Sequence, residues 1–215
     1  MCYGPDFSRP ELAPFRAGWI ASEFDNSPEN MGRKGSYISY GQHWAQVSAA
    51  PLRLFKATMA EGGTRVPAII NWQGTIAGGG QAPAFASVMD ILPTLTELAR
   101  GEAARIEGSH GRSLAPLFSD PGVSVHPGTD IFAGEMLASR AIVQGDYKLL
   151  YLPEPLGSGD WALYDLSSDP LEQADLSRAL PEKRAQMLEF WEAYERDTGI
   201  VPSPDGVTGP LLAVQ

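Results

Sequence analysis

Lys56 is the residue of this sequence with the clearest chemical opening. It lies in the stretch Pro51 to Ile70, PLRLFKATMAEGGTRVPAII, where an isolated lysine in an apolar run is followed by a Glu-Gly-Gly turn and a short hydrophobic segment. An ammonium group flanked by Leu54, Phe55 and Ala57 is expected to lose part of its hydration and to seek an anionic partner. An oxyanion with several oxygens would give a charge-assisted contact of roughly 1.5–3 kcal/mol. The alternative is a lysine that snorkels to solvent from a partly buried strand. Arg65, just past the turn, could reinforce the positive charge or form a structural ion pair with Glu61.

Other reactive residue types fall short of a constellation. Cys2 is the single cysteine, which excludes an internal disulfide and a cysteine-based metal cluster. Asp25 and Asn26 carry hard oxygens of the kind calcium takes, but their context reads as an Asx-type turn. His43, His110 and His126 show no metal-ligand spacing. Ser36, Ser48 and Ser109 lack the strand–turn–helix setting of a nucleophile elbow. Gly78-Gly79-Gly80 lacks the lysine and the strand–loop–helix frame of a phosphate loop.

Composition narrows the partners. The 215 residues carry a net charge of −10, which argues against nucleic acid, since phosphate binding needs clustered Lys and Arg. An acidic surface also repels anionic substrates at long range, so any anion site needs its own local cation. Only Lys34, Lys56, Lys148 and Lys183 are lysines among the 16 basic residues. No stretch is long enough to span a bilayer. The start, Met1-Cys2-Tyr3-Gly4-Pro5, lacks the charged-then-apolar layout of a signal peptide. If the sequence is part of a longer one, that start leaves the compartment, cytoplasmic or periplasmic, open.

The elements that would position Lys56 follow from pattern. Residues 1–50, punctuated by Pro5, Pro10, Pro14 and Pro28, read as a long loop region. Val66 to Trp72 reads as a buried strand with Pro67 near its start. A helix beginning at Ser87 or Asp90 carries Val88, Ile91, Leu92, Leu95 and Leu98 at helical spacing, with Pro93 in its first turn or at a kink. Residues 101–130 are turn-rich. From Arg140 the pattern turns to strands: Ala141-Ile142-Val143, a turn at Gln144-Gly145-Asp146, Tyr147 to Leu152, and a third around Trp161 to Leu166. A helix from Pro181 with Met187, Leu188, Trp191 and Tyr194 on one face ends at Gly199. Trp161, Tyr164, Trp191 and Tyr194 read as core between strands and closing helix. The fold class is α/β, the end of an α/β domain followed by a small α+β domain.

An ordered set of motifs resembles the type I, formylglycine-dependent sulfatases. Glu61-Gly62-Gly63-Thr64-Arg65-Val66-Pro67-Ala68 is similar to their EGG-x-R-V-P-A signature, and Met89-Asp90-Ile91-Leu92-Pro93-Thr94-Leu95 to their M-D-x-x-P-T-L helix. Gly145-Asp146-Tyr147-Lys148-Leu149, Leu163-Tyr164-Asp165-Leu166 and Asp169-Pro170-Leu171-Glu172 resemble their C-terminal hairpin and its ending. Asp25 to Gly32, with Arg53-Leu54-Phe55-Lys56-Ala57, is similar to a bacterial arylsulfatase subgroup. The resemblance implies the C-terminal end of an alkaline-phosphatase-like α/β sandwich over residues 1–130. A small antiparallel-sheet-plus-helix subdomain over 131–200 and a tail over 201–215 would follow. It implies a parent enzyme that hydrolyses aryl or alkyl sulfate esters, with Lys56 binding the sulfate group and a calcium ion in the complete enzyme. The nucleophile and calcium ligands are expected in a missing N-terminal part: Cys2, followed by Tyr3-Gly4-Pro5-Asp6, does not fit C-x-P-x-R. No catalytic calcium and no sulfatase activity are expected of this chain alone. A phosphonate or phosphate monoester hydrolase of the same superfamily, or a non-catalytic interaction module, are the alternatives. Cut from its sheet, Val66–Trp72 would expose apolar surface and an open edge, which favours aggregation, whereas residues 136–200 are expected to hold together.

Overall fold

Lys148, Leu149 and Leu150 are consecutive and all buried, and successive strand residues point to opposite faces. Their strand must therefore be covered on both sides. In the computed structural model, which describes residues 13–38, 41–102 and 106–200, it is. Four antiparallel strands form a meander in the order β1 (Ile131–Met136), β2 (Ser139–Gln144), β3 (Tyr147–Tyr151), β4 (Trp161–Asp165). The β2–β3 register pairs Ile142 with Leu149 and Ala141 with Leu150, and β3–β4 pairs Leu149 with Leu163 and Lys148 with Tyr164.

One face packs on α6 (Pro181–Thr198) through Ile142, Leu149, Leu163, Met187 and Trp191. That helix starts on Pro181 and closes at Gly199 in the left-handed conformation (φ 64°), the ends the sequence predicted. The other face, with Ala141, Leu150, Leu152 and Tyr164, is covered by Leu54, Met59 and Ala60. The stretch around Lys56 thus supplies the second layer on the sheet. Two helices precede it, α1 (Ala13–Glu23) and α2 (Gly41–Ala49), and α3 (Glu61–Thr64) is one turn.

Among the described residues, those up to Val66 and those from Ile131 onward form one compact unit, and those of Pro67–Asp130 form a second. In the second, Ser87 caps a 3₁₀ turn, Val88–Asp90, as a reciprocal capping box with Asp90. Helix α4 (Ile91–Arg100) continues from it and α5 (Pro116–Ser119) is a short turn. Asp90 is fully buried and ties the unit together. Its carboxylate accepts the backbone N–H groups of Ser87 (2.6 Å) and Arg112 (2.7 Å), and its two oxygens lie 3.0 and 2.9 Å from His126 Nε2. His126 Nδ1 reaches Asp130 at 3.1 Å, and Arg112 forks onto Asp130 at 2.8 and 3.2 Å.

Four readings of the sequence need correction. Residues 13–23 and 41–49 are helical, not loop; Pro14 falls in the first turn of α1, where its missing N–H is harmless. Strand β1 is an addition, hidden because Gly134 and Glu135 interrupt its apolar pattern. Gly134 lies against the Met59 methyl, where a side chain would crowd it. Val66–Trp72 forms no strand: no described strand pairs with it, and Ile69 stands 93% exposed. Tyr164 does not join Trp161, Trp191 and Tyr194 at α6; its strand parity turns it to the Ala60 side. Cys2 and the 201–215 tail lie outside the described residues.

Two outcomes follow from this packing. Leu163→Ala should lower stability by about 2–5 kcal/mol in a urea melt of the full chain, whereas Ile69→Ser should change it by less than about 0.5 kcal/mol and reduce aggregation. The hydrogen bond from Arg112 holds the Asp130 carboxyl below its usual value, with partial burial opposing and His126 adding to the effect. The unfolded chain therefore takes up that proton first. The stabilisation is complete above the ordinary carboxylate range near pH 3.9 and fades as pH falls through the lower folded value. Arg112→Ala should move the Asp130 titration upward, followed by its carboxyl carbon resonance.

Candidate anion site on the Lys56 loop

Residues 53–64 fold into a loop closed on itself. The Gly62 N–H donates to the Arg53 carbonyl at 2.8 Å, and the Thr58 hydroxyl donates to the Phe55 carbonyl at 2.9 Å. The glycines of the Glu-Gly-Gly turn are required by this closure: a Cβ on Gly62 would collide with the carbonyls of Arg53 and Leu54, and one on Gly63 with that of Thr58. Leu54 (φ 57°) and Ala57 (φ 75°) take the left-handed conformation, which non-glycine residues hold only where their surroundings impose it.

Lys56 sits between these two residues and is exposed, while Leu54 and Phe55 are half-buried. The expected loss of hydration is therefore not seen on the ammonium group: the apolar neighbours bury themselves and leave it in solvent. Among the described residues no carboxylate pairs with Lys56. An exposed cation without an internal partner remains available for an external anion.

The loop is anchored to the sheet at several points. Arg53 Nη1 donates to the Tyr164 hydroxyl at 2.9 Å and, at 3.4 Å, to the carbonyl of Glu172. Burial pushes the Tyr164 phenol up from its usual value, and Arg53 opposes that shift. The Met59 N–H donates to Ser139 Oγ at 2.8 Å, and the Glu61 N–H to Glu172 Oε2 at 3.1 Å. Lys148 Nζ, 1% exposed, donates to Glu61 Oε1 at 2.8 Å and lies 2.7 Å from Glu172 Oε1. The second contact is an ion pair without hydrogen-bond alignment, since Glu172 Oε1 has no hydrogen-bond partner of good geometry. Arg65 reaches Glu61 at 3.7 Å from a side chain 57% exposed, so the structural ion pair does form; at that exposure it adds little.

Sequence reasoning passed over Lys148 and Glu172. The available signal was a lysine within Tyr147-Lys148-Leu149-Leu150-Tyr151, a strand too apolar to hold an unpaired charge. The remaining candidates have local roles. Asp25 Oδ1 accepts the Ser27 N–H at 3.0 Å, which lowers its pKa, and Asn26 Oδ1 accepts the Tyr37 N–H at 2.7 Å. This is an Asx turn. His43 and His110 are exposed. Among the described residues no three His, Cys, Asp or Glu side chains are grouped to hold a metal ion, and no helix is long and apolar enough to cross a membrane.

No family model matches the chain. It is 39% identical over 189 residues to an uncharacterized sulfatase of Schizosaccharomyces pombe, covering 85% of this chain and 34% of that protein. With the arylsulfatase of Klebsiella aerogenes it shares 45% identity over 78 residues, 36% of this chain and 17% of the relative. The crystal structure of Ps i-CgsB aligns with a TM-score of 0.56 and 24% identity over 67% of this chain and 32% of that one, a likeness of fold alone. The chain spans about a third of the length of the fission-yeast relative. Its mixed helices and four-stranded antiparallel sheet form an α/β fragment of the sulfatase fold, and the chain belongs to the sulfatase family.

Proposed function

We propose that this chain is the C-terminal, anion-gripping portion of a sulfatase whose complete form hydrolyses aryl or alkyl sulfate esters to an alcohol and inorganic sulfate. The observation that carries this reading is Lys56, an exposed ammonium without a counter-charge among the described residues, on a loop fixed to the sheet through Arg53 and Glu61. In the proposed role its N–H groups bind sulfate oxygens. Because those oxygens stay anionic throughout S–O cleavage, a fixed cation beside them stabilises the bound ester and any charge that grows as the leaving oxygen departs. The net charge of −10 makes such a local cation necessary.

The formylglycine nucleophile, the calcium ligands and the general acid belong, in this reading, to sequence outside the chain. When bound, calcium would neutralise and orient the sulfate group. Among the described residues Asp25 and Asn26 accept backbone N–H groups of their own turn, and no three His, Cys, Asp or Glu side chains are grouped to hold it. A phosphonate or phosphate monoester presents a similar tetrahedral anion to Lys56. The exposed Ile91, Leu92 and Leu95 of α4 favour a second reading, a non-catalytic module that packs against another protein surface.

Purified alone, the chain should show no turnover of a nitrophenyl sulfate; measurable turnover would overturn the assignment of the chemistry to outside sequence. In the enzyme reconstituted with the remaining sulfatase sequence, Lys56→Ala should reduce kcat/KM for that substrate by about 10²–10³-fold. An unchanged kcat/KM would remove Lys56 from the site, and a preference for the phosphonate ester would reassign the substrate.

A further inference from the structure

Both ends of the Lys56 loop converge on one residue. Arg53, at its start, donates to the Glu172 carbonyl, and Glu61, at its end, donates its N–H to Glu172 Oε2. Glu172 is itself held in the left-handed conformation (φ 56°) and is 3% exposed. Its carboxylate faces Lys148 Nζ, which also binds the Glu61 carboxylate. We propose that Lys148 and Glu172 are a positioning pair for Lys56, setting the conformation of residues 53–64; this rests on the reading of Lys56 as the anion-binding cation.

Three observations support this over a purely stabilising role. First, buried charged groups are poor stabilisers, since packed apolar side chains of like volume often serve a core as well. A buried lysine in β3, opposite Tyr164 and on the same strand face as Leu150, is therefore an expensive way to fill space. Second, its partners are not elsewhere in the sheet. One lies in the first turn of the Lys56 loop's closing helix α3 and the other on the segment after β4. Third, Leu54 and Ala57 hold unfavourable backbone conformations on either side of Lys56. The contacts of Glu61 and Glu172 add to those of Arg53 with Tyr164 and of Met59 with Ser139 in holding them there, and loosening them would let Lys56 leave its fixed place.

The test uses the full chain with two variants, Lys148→Met, which keeps length and apolar packing, and the milder Glu172→Gln, which retains an acceptor for the Glu61 N–H. Hydrogen exchange should accelerate at least tenfold across 53–64 in Lys148→Met and about threefold in Glu172→Gln, with α6 unchanged. The second readout is the Lys56 amide resonance titrated with inorganic sulfate against chloride at matched ionic strength. A sulfate-specific shift is expected in the parent chain and should be lost in Lys148→Met. Unchanged exchange in 53–64, or an equal rise in 53–64 and α6, would overturn the positioning pair; if Lys148→Met does not fold, the same criterion applies to Glu172→Gln. Accelerated loop exchange without any sulfate-specific shift in the parent chain would instead overturn the anion-binding reading of Lys56.

Discussion

The contact on which the first unit depends is the buried ammonium of Lys148 between the carboxylates of Glu61 and Glu172. Three charges removed from water must satisfy one another, and taking away one partner of such a set typically costs about 3–5 kcal/mol because the others remain buried and unpaired. That penalty gives the contact its directing power. A hydrophobic patch tolerates sliding, but an ion set of this kind accepts one arrangement. It brings the stretch around Lys56, some ninety residues earlier in the sequence, into a defined register on the sheet.

The sheet can serve as that platform because it is covered on both faces. Alternate residues of β2, β3 and β4 divide between α6 on one side and Leu54, Met59 and Ala60 on the other. The second unit presents the opposite situation. Asp90 organises its turns through backbone and histidine contacts, yet Val88, Ile91, Leu92 and Leu95 of its helical stripe remain exposed, as do Ile69 and Trp72. Exposed apolar surface of this extent on successive elements is a packing face without its partner. It accords with a chain that spans about a third of its fission-yeast relative.

What the sequence disclosed depended on how local the cause was. The β2–β3 hairpin, a helix start at Ser87 or Asp90 and the ends of α6 were legible because turn and cap residues act within a few positions of themselves. The family was legible because several short motifs occur in order. Other features were not readable from neighbours alone. Val66–Trp72 has the apolar run of a buried strand, but a run specifies only willingness to pair, and pairing needs a second strand. Helix α1 was masked by Pro14, which punctuates without breaking when it falls in a first turn. Tyr164 went to the wrong face because a strand's face assignment turns on a single step of parity. Lys148 and Glu172 gave no motif-level sign of mutual contact, since what joins them is the fold.

The same distinction explains why the candidate site is visible through its supports. Lys56 is exposed, and an exposed lysine is ordinarily uninformative. What sets it apart is the amount of structure devoted to its backbone: two glycines that let carbonyls approach closely, two left-handed non-glycine residues, and a closing acid, Glu61, answered by the buried Lys148. Each of these features is unfavourable on its own, through chain entropy, local strain or desolvation. A loop that served only to cover the sheet could do so with ordinary apolar residues in relaxed conformations. Concentrating several unfavourable features around one free ammonium group is the arrangement expected where placement of that group matters more than the stability of the loop that carries it.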